Sequence, residues 1–150
     1  MSIGQLCKRR VVCTHRNASV KEAAQLMCEF HVGSLVVVEE PGSAVPIGLL
    51  TDRDIVREIV APELDASSIS VGDIMNRELI TAEADDDVHD IVEMMSERGI
   101  RRVPIVDNEG ELVGIVSQDD LYQRLSEEMS ALAALSPRQQ VNELVGDARP

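Results

Sequence analysis

Two four-residue segments, Thr51-Asp52-Arg53-Asp54 and Ser117-Gln118-Asp119-Asp120, set a hydroxyl three positions ahead of a carboxylate. Each follows a short apolar run containing glycine, Gly48-Leu49-Leu50 or Gly114-Ile115-Val116, so each hydroxyl is expected where a strand hands over to a helix. At such a junction the first N–H groups lack intrahelical partners and the helix dipole favours negative charge, which suits a phosphate. A carboxylate one turn on projects toward the same end and can accept hydrogen bonds from both vicinal hydroxyls of a ribose. The spacing is equally that of a capping box, in which hydroxyl and carboxylate each take a backbone N–H of the other residue and no ligand is needed. The two uses are compatible. Glycine ahead of the hydroxyl leaves room for a ligand or for a neighbouring backbone to approach the strand.

A second feature with chemical potential is the pair Arg101-Arg102, since guanidinium forks match phosphate oxygens geometrically. The competing use is ion pairing with surface acids, which are plentiful in a chain of 27 Asp and Glu against 14 Lys and Arg. Cys13 with His15, and Cys28 with His31, lack metal-finger spacing and read as buried thiols and surface imidazoles. Asp85-Asp86-Asp87 precedes a helix, where negative charge complements the dipole. No Walker loop, dinucleotide fingerprint, HExxH or GxSxG pattern occurs, so the expectation is a protein that is not an enzyme, with no catalytic residue, metal or catalytic cofactor.

The elements that must position these groups emerge when the chain is laid over itself. A shift of 68 aligns Ser2-Ile3-Gly4-Gln5-Leu6 with Ser70-Val71-Gly72-Asp73-Ile74, and Val11-Val12 with Leu79-Ile80. Val20, Ala23, Ala24 and Met27 then pair with Val88, Ile91, Val92 and Met95, both at the spacing of one helix face. Ser19 with Glu22, and Asp87 with Asp90, mark the helix starts. Two β-branched runs follow in each half: Leu35–Val38 then Ile47–Leu50, and Val103–Val106 then Leu112–Val116. A polar-started helix closes each half over Asp52–Val60 and Gln118–Leu125. The repeating unit is β-α-β-β-α. At Arg101-Arg102 the first half carries Gly33-Ser34 instead, which makes this the most asymmetric position of the repeat.

Each half alone buries only a modest core, so the two are expected to pack together. The expected divisions are 1–64, 65–126 and a helical or disordered tail over 127–150. Within that tail Met129, Leu132, Ala133 and Leu135 suggest a helix ending before Pro137, and Val141, Leu144 and Val145 another. The net charge of −13 disfavours nucleic acid and anionic membrane surfaces. No apolar stretch reaches the roughly 18 residues of a membrane span, and the three cysteines suit reduced thiols. A cytoplasmic location is expected.

Over residues 2–126 the chain resembles the tandem cystathionine β-synthase (CBS) domain family. The resemblance rests on the doubled Gly-apolar-x-Thr/Ser-x-x-Asp pattern and on the phrases Ser70-Val71-Gly72-Asp73-Ile74-Met75 and Gly99-Ile100-Arg101-Arg102-Val103-Pro104. It implies an α/β fold of two CBS repeats packed as a pseudo-twofold pair, with clefts for AMP, ADP, ATP or another adenosyl compound. It also implies a regulatory role, a homodimer and an effector protein as partner. Thr51, Asp54, Ser117, Asp120, Arg101, Arg102 and Thr81 are the candidate ligand-binding residues. The two sites are expected to be unequal, since only the second half carries the basic pair. The rival expectation is a dimerising scaffold with vacant clefts.

Overall fold

A computed structural model describes residues 1–147, so the last three positions of the expected 127–150 tail lie outside the described residues. The described chain forms two compact units, Met1–Val116 and the segment from Ser117 onward, taken here in turn.

The first unit opens with a 3-10 turn, Ile3–Gln5, followed by β1 (Cys13–His15), α1 (Val20–Phe30), β2 (Ser34–Val38), β3 (Pro46–Thr51) and α2 (Asp52–Ile55), which continues as a π-helical turn, Val56–Val60. Strand β2 is the centre of a three-stranded sheet, parallel to β1 and antiparallel to β3. Its Leu35, Val36, Val37 and Val38 are all buried, as a central strand covered on both faces requires, whereas β3 alternates buried and half-buried positions. Helix α1 buries Val20, Ala23 and Met27, the spacing read from sequence. Its start is a full capping box: the Glu22 N–H donates to Ser19 Oγ at 3.1 Å, and the Ser19 N–H donates to Glu22 Oε2 at 2.9 Å. It ends on His31 in the left-handed conformation, φ 54°.

The second half repeats this order with α3 (Val71–Ile74), β4 (Ala82–Glu83), α4 (Val88–Arg98), β5 (Arg102–Val106) and β6 (Leu112–Ser117). Its sheet has the order β4-β5-β6, with β4 parallel to β5. Helix α4 buries Ile91 and Met95, while Val92 is 40% exposed. Its cap differs from expectation: Asp87 accepts the His89 N–H at 2.9 Å, and Asp90 is not part of the cap. An aspartate side chain closes an Asx turn two residues on with less reach than a box requires. The helix ends on Gly99, φ 64°.

The leading segments of the two halves are exchanged. Ile3 and Gly4 donate their N–H groups to the carbonyls of Asp86 and Ala84, and Lys8 and Ile115 bond each other reciprocally at 2.9 and 3.0 Å. In the other direction Val71 and Gly72 donate to Ala18 and Arg16, and Leu49 and Asn76 bond each other at 3.3 and 2.9 Å. Val71 and Met75 thereby complete the core formed by Ala18, Ala23, Met27, Leu35, Val37 and Leu50. Fully burying apolar side chains of this size stabilises by about 1.5–3 kcal/mol each.

The second unit consists of α5 (Gln118–Ala133) and α6 (Leu135–Asp147). The sequence reading expected the repeat's last helix to stop near Leu125 and a separate tail helix to end before Pro137. Instead one helix runs through to Ala133, and Pro137 sits in the first turn of α6. A proline is tolerated there because first-turn N–H groups have no intrahelical acceptor. No described helix is long and apolar enough to cross a membrane.

Candidate functional site

Both hydroxyl-carboxylate pairs form at strand-to-helix junctions. The Thr51 N–H donates to Asp54 Oδ2 at 2.9 Å, and the Asp54 N–H donates to Thr51 Oγ1 at 3.2 Å. In the other copy the Ser117 N–H reaches Asp120 Oδ2 at 2.9 Å and the Asp120 N–H reaches Ser117 Oγ at 3.2 Å. Ser117 Oγ also donates to Asp120 Oδ2 at 2.8 Å. The capping use is therefore realised in both halves. It does not exhaust the first carboxylate, because the box uses only Oδ2 of the half-buried Asp54.

The glycines ahead of the boxes make room for backbone. A Cβ on Gly48 would lie 2.9 Å from the Asn76 carbonyl oxygen and 2.8 Å from Met75 Sδ; one on Gly114 would lie 2.9 Å from the Lys8 carbonyl oxygen and 2.5 Å from Cys7 Sγ. Of the two uses open at these glycines, the structure fills both positions with the exchanged leading segments.

Arg102 begins β5 in the second half, yet its guanidinium reaches the first. One of its terminal nitrogens lies 3.7 Å from where a Cβ on Gly33 would stand, and Asp52 Oδ2 lies 3.2 Å from the same point. Gly33 is itself tied to the first junction, since its carbonyl accepts the Asp52 N–H at 3.0 Å. Among the described residues no ion pair within 4.0 Å holds Arg102. Arg101 precedes the strand and is exposed, as is Thr81 ahead of β4. The structure thus brings Thr51 to Asp54, Ser117 to Asp120, and Arg102 to the neighbourhood of Asp52. Gly33 and Asp52 were missed as site neighbours. The signal was present in the repeat alignment, where Gly33-Ser34 pairs with Arg101-Arg102, and the structure sets the Arg102 guanidinium near Gly33.

A cavity of about 400 Å³ lies elsewhere, between β1 and α1, bordered by Cys13, Thr14, His15, Glu22, Leu26 and Glu29. Cys13 is exposed as a residue, but partial desolvation of its thiol pushes that group above the ordinary thiol range. Among the described residues no group of three or more His, Cys, Asp or Glu side chains is placed to hold a metal ion.

The model of the CBS domain family matches twice, over residues 3–61 and 71–127. An uncharacterized protein of Methanopyrus kandleri is 37% identical over 123 residues; the match takes in 82% of this chain and 62% of that protein's length. The CBS domain-containing protein YhcV of Bacillus subtilis is 35% identical over 135 residues, covering 90% of this chain and 93% of that protein. Among solved structures, a CBS domain protein of Pyrobaculum aerophilum complexed with AMP superposes with a TM-score of 0.74 at 33% identity, covering 81% of this chain and 90% of that one. A CBS domain pair in complex with 5′-methylthioadenosine and S-adenosyl-L-methionine superposes with a TM-score of 0.73 at 28% identity, covering 83% and 99%.

Proposed function

The chain belongs to the CBS domain family, and from that premise we propose that it is a regulatory module that binds an adenosyl ligand and signals occupancy through changed packing of its repeats, working as a cytoplasmic homodimer that addresses an effector protein. The single observation that carries the reading is the guanidinium of Arg102 close to Gly33, whose carbonyl accepts the Asp52 N–H at the first hydroxyl-carboxylate junction. A helix cap needs no cation from a distant strand, whereas a nucleotide needs a phosphate partner as well as a ribose partner. In this reading Asp54 Oδ1 accepts the ribose hydroxyls, Thr51 stands at the helix start, and Arg102 meets the phosphate. Ser117 and Asp120 supply the same hydroxyl and carboxylate for a second site, with Arg101 and Thr81 as further candidates. Relatives holding AMP, or methylthioadenosine and S-adenosylmethionine, support the class of ligand.

Completeness of both capping boxes favours the second reading, a scaffold whose junctions serve the fold alone. Thermal melting against AMP, ATP, S-adenosylmethionine and 5′-methylthioadenosine separates the two. A ligand at 100 times its Kd adds about 2.7 kcal/mol, a shift of several degrees. A flat response across the four compounds would reject the binding module in favour of the scaffold.

A further inference from the structure

The cavity between β1 and α1 belongs to neither hydroxyl-carboxylate junction, and the adenosyl reading makes no use of it. Its volume of about 400 Å³ is that of a small-molecule pocket, commonly about 300–1,000 Å³. In its wall is Thr14, a buried polar residue only 6% exposed, whose hydroxyl makes no hydrogen bond to any group of the described residues. Every fully enclosed side-chain nitrogen or oxygen among the described residues does have a partner. The Thr14 hydroxyl is therefore not enclosed by protein: it opens into the cavity that it lines and offers its lone pairs there. Buried Ala18 and half-buried Leu26 add apolar surface, and the exposed Glu22, Gln25 and Glu29 of α1 form the rim. Glu22 and Glu29 stand two helical turns apart, about 10.5 Å along the axis, with Gln25 and Leu26 between them. Among the described residues no ion pair within 4.0 Å holds either carboxylate, and the helix cap takes only Oε2 of Glu22.

We propose that this cavity binds a linear aliphatic polyamine, its end ammonium groups meeting the Glu22 and Glu29 carboxylates while its methylene chain lies on Leu26 and Ala18. Two carboxylates held at a fixed separation, with apolar surface between them, complement a molecule that carries cations at its ends and hydrocarbon between. An internal ammonium of such a chain donates to the Thr14 hydroxyl and the Gln25 amide oxygen, both of which accept. The net charge of −13 draws polycations toward the chain in general, and the cavity fixes where one stops. Desolvation holds the Cys13 thiol above the ordinary thiol range, so that wall is uncharged at neutral pH. The second half supplies an internal comparison. At the shift of 68 it keeps acids at Asp90 and Glu97 but has Ala82 in place of Thr14 and Asp86 in place of Ala18, so the hydroxyl is missing. The inference is independent of the adenosyl reading.

The experiment is titration calorimetry of the whole chain, free of nucleotide and at physiological ionic strength, against three amines. These are spermidine, diaminooctane, which has the same length without the internal nitrogen, and putrescine, a diamine too short to span two turns. Glu22→Gln combined with Glu29→Gln removes both charges and keeps the cap, since glutamine serves equally at that position. Asp90→Asn combined with Glu97→Gln removes two acids at the equivalent positions of the second half. Thr14→Val deletes the hydroxyl and keeps the β-branched shape. One spermidine per chain is expected, with a Kd below about a millimolar. That Kd should rise about tenfold in the Glu22 and Glu29 variant, the combined effect of two partly exposed ion pairs, and by less than about twofold in the second-half variant. Putrescine should bind at least about tenfold more weakly than spermidine, having one of the two carboxylates out of reach. Thr14→Val should abolish the advantage of spermidine over diaminooctane. Equal losses in the two pair variants would reveal general attraction to an acidic chain and overturn the inference, as would putrescine binding as tightly as spermidine, or no binding at all. An advantage of spermidine that survives in folded Thr14→Val would overturn the place given to the internal ammonium. If circular dichroism shows Thr14→Val unfolded, the pair variants decide alone, because all four of their side chains are exposed. No nucleotide enters the titration, so failure of the adenosyl reading leaves its outcome unchanged.

Discussion

The two halves of the first unit follow one plan and differ at three kinds of position. At the glycine ahead of each box, the first half meets Met75 and Asn76 and the second meets Cys7 and Lys8. At the start of the central strand, the first half has Gly33-Ser34 and the second has Arg101-Arg102. At the long helix, the first is capped by Ser19 and Glu22 and ends on His31, while the second is capped by Asp87 alone and ends on Gly99. Duplication preserved what a packed sheet and helix demand. The differences at the glycines, the strand starts and the helix caps lie where the halves touch each other, and there a substitution in one half is felt in the other.

The largest effect is expected at the glycines. Gly114→Ala drives a methyl to 2.5 Å from Cys7 Sγ and 2.9 Å from a backbone oxygen, and overpacking of this kind costs about 1–3 kcal/mol, the upper end applying here. Gly48→Ala meets the same backbone obstacle, but its side-chain neighbour is a flexible thioether that can move, so about 1–2 kcal/mol is expected. Urea denaturation of both variants checks the order; equal losses would mean that the exchanged segments are held alike.

Next comes the strand start. Replacing Arg102 with Gln should weaken AMP by about tenfold, roughly the 1.5 kcal/mol of one charge-assisted hydrogen bond. The neutral ligand 5′-methylthioadenosine should be unaffected. Titration calorimetry with both compounds reads this directly, and equal weakening of the two would show that Arg102 shapes the site without reading charge.

The helix ends give a smaller contrast. His31 holds a left-handed conformation that costs a residue with a Cβ about 1 kcal/mol, and Gly99 does not. Gly99→His should therefore destabilise by about 1 kcal/mol and His31→Gly should stabilise by a similar amount. If both changes were neutral, tertiary contacts rather than backbone preference would govern these ends.

The smallest contrast is in pH. The His89 N–H, and secondarily the terminal ammonium, hold the Asp87 carboxyl below the ordinary aspartate range. A group with a depressed folded pKa contributes stability that is present above its unfolded value and is lost as the pH falls through the folded one. Acid should therefore loosen the start of α4 through its cap, below about pH 4. In Asp87→Ser the melting temperature should depend less steeply on pH there; an unchanged slope would remove Asp87 from the account.

Much of this was open to reading in one dimension. Buried positions at three- and four-residue spacing marked α1 and α4, β-branched runs marked β2 and β5, and the hydroxyl-carboxylate spacing located both junctions, because short-range geometry is periodic and each residue type carries its own preference. The Asp87 cap and the run of α5 past Leu125 were misjudged for a related reason: several local endings were compatible with the same residues, and packing or its absence chose among them. What tertiary structure alone decided is which half each shared piece serves. Segments 2–6 and 70–74 have the same pattern, so a sequence cannot tell whether each docks on its own half or on the other, and only the path of the chain in space makes the exchange. The same holds for Arg102, whose place in the repeat assigns it to the second half and whose guanidinium lies in the first.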